Sequence, residues 1–429
     1  MTAAETGTDI RRAIEAVFRI ERARLIAGLA RLLRNIDRAE ELAQDALVVA
    51  LSDWPKAGVP ANPGAWLMAV AKRRAIDAVR RDTMLKRKHE ELARTLDDAP
   101  DRYFADAAHA IETAMDDDLG DELLGLIFTA CHPMLSPGAR VALTLRVVGG
   151  LTTDEIARAF LSREATIAQR VVRAKKAIEK AGLSFEVPRG TDRTTRLSSV
   201  LEVIYLIFSE GYAATAGEDH VRPGLCLEAQ RLGRVLVGLM PGDAEVLGLL
   251  ALMEIEASRL AARVGPDGAI VPLPEQNRSR WDQLLIRRGL DALARAEALG
   301  GDGPYVLQAA LAACHAHARS VADTDWPRIA ALYDRLREVV PSPVVDLNRA
   351  IAHSMAYGPE AGLRLLDQIA AVDTLQAYAP LPAARGDFLF WAGRMTEARS
   401  QFETAAKLTR NARERAFLLA RANACDGEP

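Results

Sequence analysis

Residues 135–178 read LSPGARVALTLRVVGGLTTDEIARAFLSREATIAQRVVRAKKAI. Ser136-Pro137 is a capping residue followed by a first-turn proline, and Gly149-Gly150 ends the helix opened there. Thr152 and Glu155 have capping-box spacing, in which hydroxyl and carboxylate each satisfy a backbone N–H of the other's end. A short helix to Phe160 follows. Ser162 is expected to cap a third helix that ends at Gly182. Two helices joined by the tight turn Phe160-Leu161-Ser162 make a helix-turn-helix. In its second helix Ile167, Val171, Ala174 and Ile178 recur at steps of four, three and four and predict a dry face. Thr166, Gln169, Arg170 and Arg173 are interleaved with them and predict a wet one. From Arg163 to Lys176 five bases stand against one acid. Such a helix enters the major groove of DNA, its early residues on base edges and its Arg and Lys on phosphates.

Upstream, Ile10, Ile14, Val17, Phe18, Leu25, Leu29 and Leu32 recur at helical steps and predict an amphipathic helix to about Leu33. Asp37 and Glu40 have capping-box spacing and predict a second helix to about Leu51. Trp54-Pro55 and the stretch 58–63 read as a break. Asn62-Pro63 then opens a third helix to about Arg81. From Trp66 to Glu90 eight bases face three acids, a second basic stripe. Between the stripes, residues 91–122 hold eleven acids against Arg94 and Arg102 and read as a solvated acidic connector.

The whole chain has 429 residues, with 55 Lys and Arg against 58 Asp and Glu, so a uniformly basic, histone-like protein is excluded. Its length predicts two to four domains. Aromatic residues are only 5%, β-branched runs are few, and Ala, Leu and Arg dominate, which predicts an all-α fold. No apolar run approaches the ~20 residues that span a bilayer, and the first residues lack a signal-peptide layout. A cytoplasmic protein without a membrane partner is expected. The four cysteines are scattered. Cys314, His315 and His317 sit close together, but positions two apart do not share a helix face, so no metal and no cofactor are expected. No nucleotide-binding or catalytic motif appears, and an enzyme reading has no support. After about Pro188 the pattern is helical to the end, interrupted by a loop at 265–274. Gly386, Leu389, Ala398, Phe402 and Ala405 show the small and large offsets of a tetratricopeptide hairpin. Ala361 and Leu365 precede Ala398 and Phe402 by 37 residues, close to the ~34 of that repeat.

Two stretches resemble a known family. AEELAQDAL at 39–47 with PGAWLMAVAKRRAIDAVRR at 63–81 looks like region 2 of bacterial RNA polymerase sigma factors, and residues 135–178 resemble region 4. The two regions in this order, with no region 3 between them, match the extracytoplasmic-function (ECF) subfamily. The helical extension matches the subgroup with a tetratricopeptide-like C-terminal domain. The resemblance implies region 2 at 8–90, an acidic linker at 91–120, region 4 at 121–185 and a C-terminal helical domain at 190–425. It implies bacterial core RNA polymerase, through its β′ and β subunits, and promoter DNA as partners. A protein or small-molecule partner of the C-terminal domain is left open.

By the same resemblance Asp37, Glu40, Glu41, Leu42, Gln44 and Asp45 dock on polymerase. An acid-dense helix also suits a basic helical partner on physical grounds alone. Trp66, Lys72, Arg73, Arg74, Asp77, Arg80 and Arg81 match the segment that reads and melts the minus-10 element. Arg163, Thr166, Gln169, Arg170, Arg173, Lys175 and Lys176 match the minus-35 reader. Arg73 and Ala168 depart from the Asn and Lys that many ECF factors carry there, so the promoter sequence does not transfer. The competing reading is a stand-alone helix-turn-helix activator with a tetratricopeptide-like sensor, which has no use for residues 39–81.

Overall fold

The computed structural model describes residues 3–93, 119–160, 162–212, 222–265, 271–369, 378–409 and 412–425. Among them the regular elements are helices, and no strand forms. Most of the expected acidic linker, 94–118, lies outside the described residues. The chain divides into two compact units, residues 1–239 and 240–429.

The first unit opens with α1 (Ala3–Leu33), α2 (Ile36–Ala57) and α3 (Pro63–Ala93), which pack on one another in pairs. Ile14, Phe18, Leu25 and Leu29 of α1, Leu42 and Trp54 of α2, and Leu67 of α3 fill the core. Ala39, Ala43, Ala46 and Ala50 make the buried face of α2 small, which lets its neighbours approach closely. The cap of α2 is Asn35, whose side chain accepts from the Arg38 N–H at 2.9 Å. Asp37 therefore sits inside the first turn rather than capping it, because Asn35 two residues earlier takes the extended conformation that a cap needs. Trp54-Pro55 does not break the helix. The loss of one donor in the last turn is small beside burial of Trp54, and α2 ends only at Gly58, whose φ of 85° favours glycine. Asn62 caps α3 as its sequence predicts, accepting from the Ala65 N–H. The helix runs on past Arg81 to Ala93.

Next come α4 (Leu119–Ala130), α5 (Pro137–Val147), α6 (Thr153–Ala159) and α7 (Glu164–Lys180). The Thr152–Glu155 capping box forms in full. Ser162 does not cap α7; its N–H is drawn to Ala157 O at 2.9 Å, and Arg163 occupies the cap position. A hairpin of α8 (Gly190–Tyr212) and α9 (Pro223–Leu239) closes the unit against α4 and α5. Arg140 of α5, buried, donates to Ser199 Oγ and to Glu202 at 2.8 Å, and Ser199 Oγ donates to Cys131 O. Arg222 donates to Ala159 O at the end of α6, and Arg231 to Val148 O after α5. The sequence reading put the start of the C-terminal domain at 190, whereas α8 and α9 lie in the first compact unit.

The second unit holds α10 (Ala244–Ala257), the single turn α11 (Leu260–Arg263), α12 (Gln283–Ala298), α13 (Pro304–His317), α14 (Trp326–Val339), α15 (Pro343–Tyr357), α16 (Pro359–Ile369), α17 (Pro380–Trp391), α18 (Met395–Leu408) and α19 (Ala412–Ala424). From α12 onward each helix packs on the next. The recurrence is present with its register shifted by one residue. Gly362 and Leu366, not Ala361 and Leu365, are buried, so they stand 36 residues before buried Ala398 and Phe402. Ala350 likewise stands 36 residues before Gly386. The small residues are required: a Cβ on Gly386 would lie 2.7 Å from the Phe402 ring, and one on Gly362 2.6 Å from Phe388.

Candidate nucleic-acid interface

The second helix of the helix-turn-helix, α7, has the two faces its sequence predicts. Ile167, Val171, Ala174 and Ile178 are all buried. Gln169, Arg170, Arg173 and Lys176 are exposed, Thr166 is half-buried, and Arg163 stands exposed at the helix start. Arg170 reaches back toward Gly138 at the start of α5, with its guanidinium over the glycine. Glu164 accepts from Thr153 Oγ1 at 3.0 Å and ties the two helices of the motif together. The exposed bases thus ride on a face held in place by four core contacts, the arrangement that positions a reading helix.

Lys175 is the exception. Its side chain is only 9% exposed, and its ammonium donates to Asp37 at 2.7 Å and Glu40 at 2.5 Å on α2. Glu40 is the centre of a cluster. Arg22 of α1 donates to it at 2.6 Å, and Arg146 of α5 lies 3.7 Å away. Arg22 also donates to Arg146 O, and Asn35 Nδ2 donates to Glu179 of α7. Burial holds the Arg22 guanidinium below its ordinary value, partly offset by Glu40. One carboxylate thus compensates three cations from three helices, which its own burial demands.

The other polar residues of the group on α2 lie nearer the solvent. Asp37, Glu41 and Gln44 are exposed, and Asp45 pairs with Arg74 of α3 at 2.8 Å. Leu42, grouped with them in the sequence reading, is 5% exposed and belongs to the core; its spacing from Ala39 and Ala46 puts it on the inner face. Val48 and Leu51 were missed. They are 62% and 37% exposed and continue the outward stripe of Glu41 and Gln44 at steps of three and four. An apolar residue three or four places beyond an exposed polar one was the signal available.

On α3, Arg73, Asp77 and Arg80 are exposed on one stripe, while Lys72 and Arg74 are half-buried. The side chain of Arg81 lies outside the described residues. Trp66 is half-buried and meets Trp54 edge to face, with ring centroids 5.3 Å apart.

Two further features bear on the chemistry of the site. Among the described residues no group of three or more His, Cys, Asp and Glu side chains is placed to hold a metal ion. No described helix is long and apolar enough to cross a membrane.

Residues 17–84 match the family model of sigma-70 region 2, and residues 126–178 that of sigma-70, region 4. Residues 196–297 match a family of unknown function, DUF6596. The uncharacterized protein R00370 of Rhizobium meliloti (strain 1021) is 40% identical over 413 residues, 95% of each chain. Proteins named ECF RNA polymerase sigma factor SigK, from Mycobacterium sp. strains KMS and JLS, are 28% identical over 166 residues, 37% of this chain and 77% of theirs. The helix-turn-helix and the three-helix unit that carries the second basic stripe coincide with the two sigma-70 matches. With both regions present in order and an additional helical region behind them, the chain belongs to the family of the Rhizobium protein and is a sigma factor of the ECF type.

Proposed function

We propose that the chain binds core RNA polymerase through the outward stripe of α2 and carries it to specific promoters. In this reading Asp37, Glu41, Gln44, Val48 and Leu51 face a basic helical surface of β′. Arg73, Asp77 and Arg80 of α3 meet the minus-10 element, with Trp66 at the start of the same helix. Arg163, Thr166, Gln169, Arg170, Arg173 and Lys176 of α7 meet the minus-35 element. The protein performs no catalysis itself, works beside the chromosome in the cytoplasm, and leaves RNA synthesis to the polymerase. The helical region behind α9 regulates or supports this activity.

The observation that carries the proposal is the division of α7 into a buried apolar face and an exposed basic one, in the same unit as a second basic helix. A stand-alone activator has no need of the second element. The test is run-off transcription with purified core polymerase on a fragment library, with the full chain and with Glu41→Arg/Gln44→Arg. The full chain is expected to yield discrete promoter-dependent transcripts and the variant none, at unchanged helix content. Transcription that depends on another sigma factor, and that the variant still stimulates, would favour the activator.

A further inference from the structure

The segment between α7 and α8 carries chemistry that promoter reading does not use. Ser184 to Gly190, with Arg31 of α1 and Asp192, Arg193 and Arg196 of α8, lines a cavity of about 980 Å³. That is the upper end of the ~300–1,000 Å³ range of small-molecule sites. Four guanidinium groups, Arg31, Arg189, Arg193 and Arg196, stand around it against two carboxylates, Glu186 and Asp192. The lining is therefore cationic by two charges, one of which, on Arg31, is shared with Glu122 at 4.0 Å.

The segment bearing these arginines is anchored. Thr129 Oγ1 donates to Ser184 O, and Phe185 and Pro188 are buried. Phe185 O lies so close to α4 that a Cβ on Gly125 would approach it to 2.2 Å. Arg189 and Arg193 are exposed, and neither makes an ion pair with a described residue. Arg196 is 11% exposed, lies over the Phe128 ring and reaches Asp192 only at 3.5 Å. Its Nε and Nη2 are buried without a hydrogen-bond partner. The 23-residue helix α8 also starts at this cavity, so its N-terminal N–H groups add positive potential.

Planar guanidinium forks pair bidentately with phosphoryl oxygens. Four guanidinium groups on one wall are more forks than the oxygens of a single phosphoryl group can pair bidentately, which favours an anion with two such groups. We propose that the cavity at the start of α8 is a binding site for a small diphosphate-bearing anion. Because Arg31 belongs to α1 and the other arginines follow α7, the bound anion would bridge the three-helix unit and the segment behind the helix-turn-helix.

The test is isothermal titration of the full chain with inorganic pyrophosphate and, in parallel, adenosine diphosphate. Saturable binding is expected for both, weakened at least about tenfold in Arg189→Ala/Arg193→Ala, whose loss of two charge-assisted contacts is of that size. Both residues are exposed, so the variant should fold, which circular dichroism checks. Arg170→Ala/Lys176→Ala on α7 should bind as the parent does. Equal affinity for the two anions assigns the site to the diphosphate alone, and tighter binding of adenosine diphosphate assigns it to a nucleotide; either upholds the proposal. Absence of saturable heat with both anions would overturn it. So would equal loss in the two double variants, or an Arg189→Ala/Arg193→Ala protein that keeps pyrophosphate but loses duplex DNA.

Discussion

Lys175 of α7 donates to Glu40 of α2 at 2.5 Å, joining residues 135 apart in sequence. Glu40 also answers Arg22 and Arg146, so removing its charge leaves three cations crowded in a half-buried site. Breaking a buried ion cluster from one side costs about 3–5 kcal/mol. Glu40→Gln is expected to fall at the lower end of that range in urea unfolding, and Lys175→Met to cost less because Glu40 keeps Arg22 and Arg146 and the Asp37 side chain is 67% exposed to water. The double variant should show a coupling of about 2 kcal/mol between the two sites. Additive losses would show that the pair is incidental.

The same contact separates two neighbouring lysines that look alike in sequence. Lys176 is exposed and Lys175 is held against α2. With the free chain and a duplex carrying its promoter, Lys176→Ala should weaken binding to cognate and scrambled DNA equally and lower the salt slope by about one unit. Lys175→Ala should leave that slope unchanged. Arg170→Ala should cost about 1–3 kcal/mol of discrimination, with cognate DNA losing more than scrambled. Fluorescence anisotropy across a salt series reads all three; equal, sequence-independent losses for Arg170 and Lys176 would remove the base-reading role of Arg170.

Gly125→Ala tests the anchoring of the segment behind α7. The new methyl would sit 2.2 Å from Phe185 O and 2.9 Å from its carbonyl carbon, and backbone cannot yield as a flexible side-chain end can. Overpacking of this kind costs about 1–3 kcal/mol. A drop in thermal midpoint is the expected outcome, whereas Gly182→Ala, with open space around its Cβ, should lose only the cost of its φ of 60°.

His315 gives the second unit a pH dependence. Burial, then the nearby Arg259, with a smaller push from Arg278, lowers its pKa from 6.5 to about 4. The unfolded chain therefore takes up the proton first as pH falls, so stability is full above about 6.5 and declines toward 4. Between pH 7.5 and pH 5 the loss is about 2 kcal/mol. His315→Gln should flatten the dependence of the unfolding midpoint over that window; an unchanged slope would place the titrating group elsewhere.

Truncation distinguishes the two candidate ends of the first unit. A cut after Gly182 strips Ser199 and Glu202 from Arg140, which is 7% exposed, and leaves its guanidinium without those two acceptors. That fragment should be at least about 2 kcal/mol less stable than one cut after Leu239, on the cost of an uncompensated cation. Calorimetry of the two fragments decides it.

Local rules made much of the helix-turn-helix legible. The Thr152–Glu155 box and the four-three-four apolar steps of α7 depend on residues within one or two turns, and both appear in the structure. The caps of α2 and α7 were less legible. Asn35 rather than Asp37, and Arg163 rather than Ser162, took the extended cap conformation, a choice made by how the chain enters from the preceding helix. Long-range partners were not legible at all. Nothing near Lys175 announces Glu40, and nothing near Arg140 announces Ser199, because both pairings arise from helix packing. Leu42 shows the intermediate case: its neighbours are outward-facing acids, yet its phase along α2 matches the buried alanines.

The recurrence of Ala350 at Gly386, Gly362 at Ala398 and Leu366 at Phe402 has a consequence for inheritance. A gain or loss of 36 codons keeps every later helix in phase with its neighbour, because each small residue still meets the bulky one it accommodates. A length change within a helix that is not close to a whole number of its ~3.6-residue turns would rotate that face away from its partner and bury charge. Chain lengths among homologous genes should therefore differ in this region by whole steps of that size, with intermediate differences confined to the turns, such as those at Gly358 and Gly393.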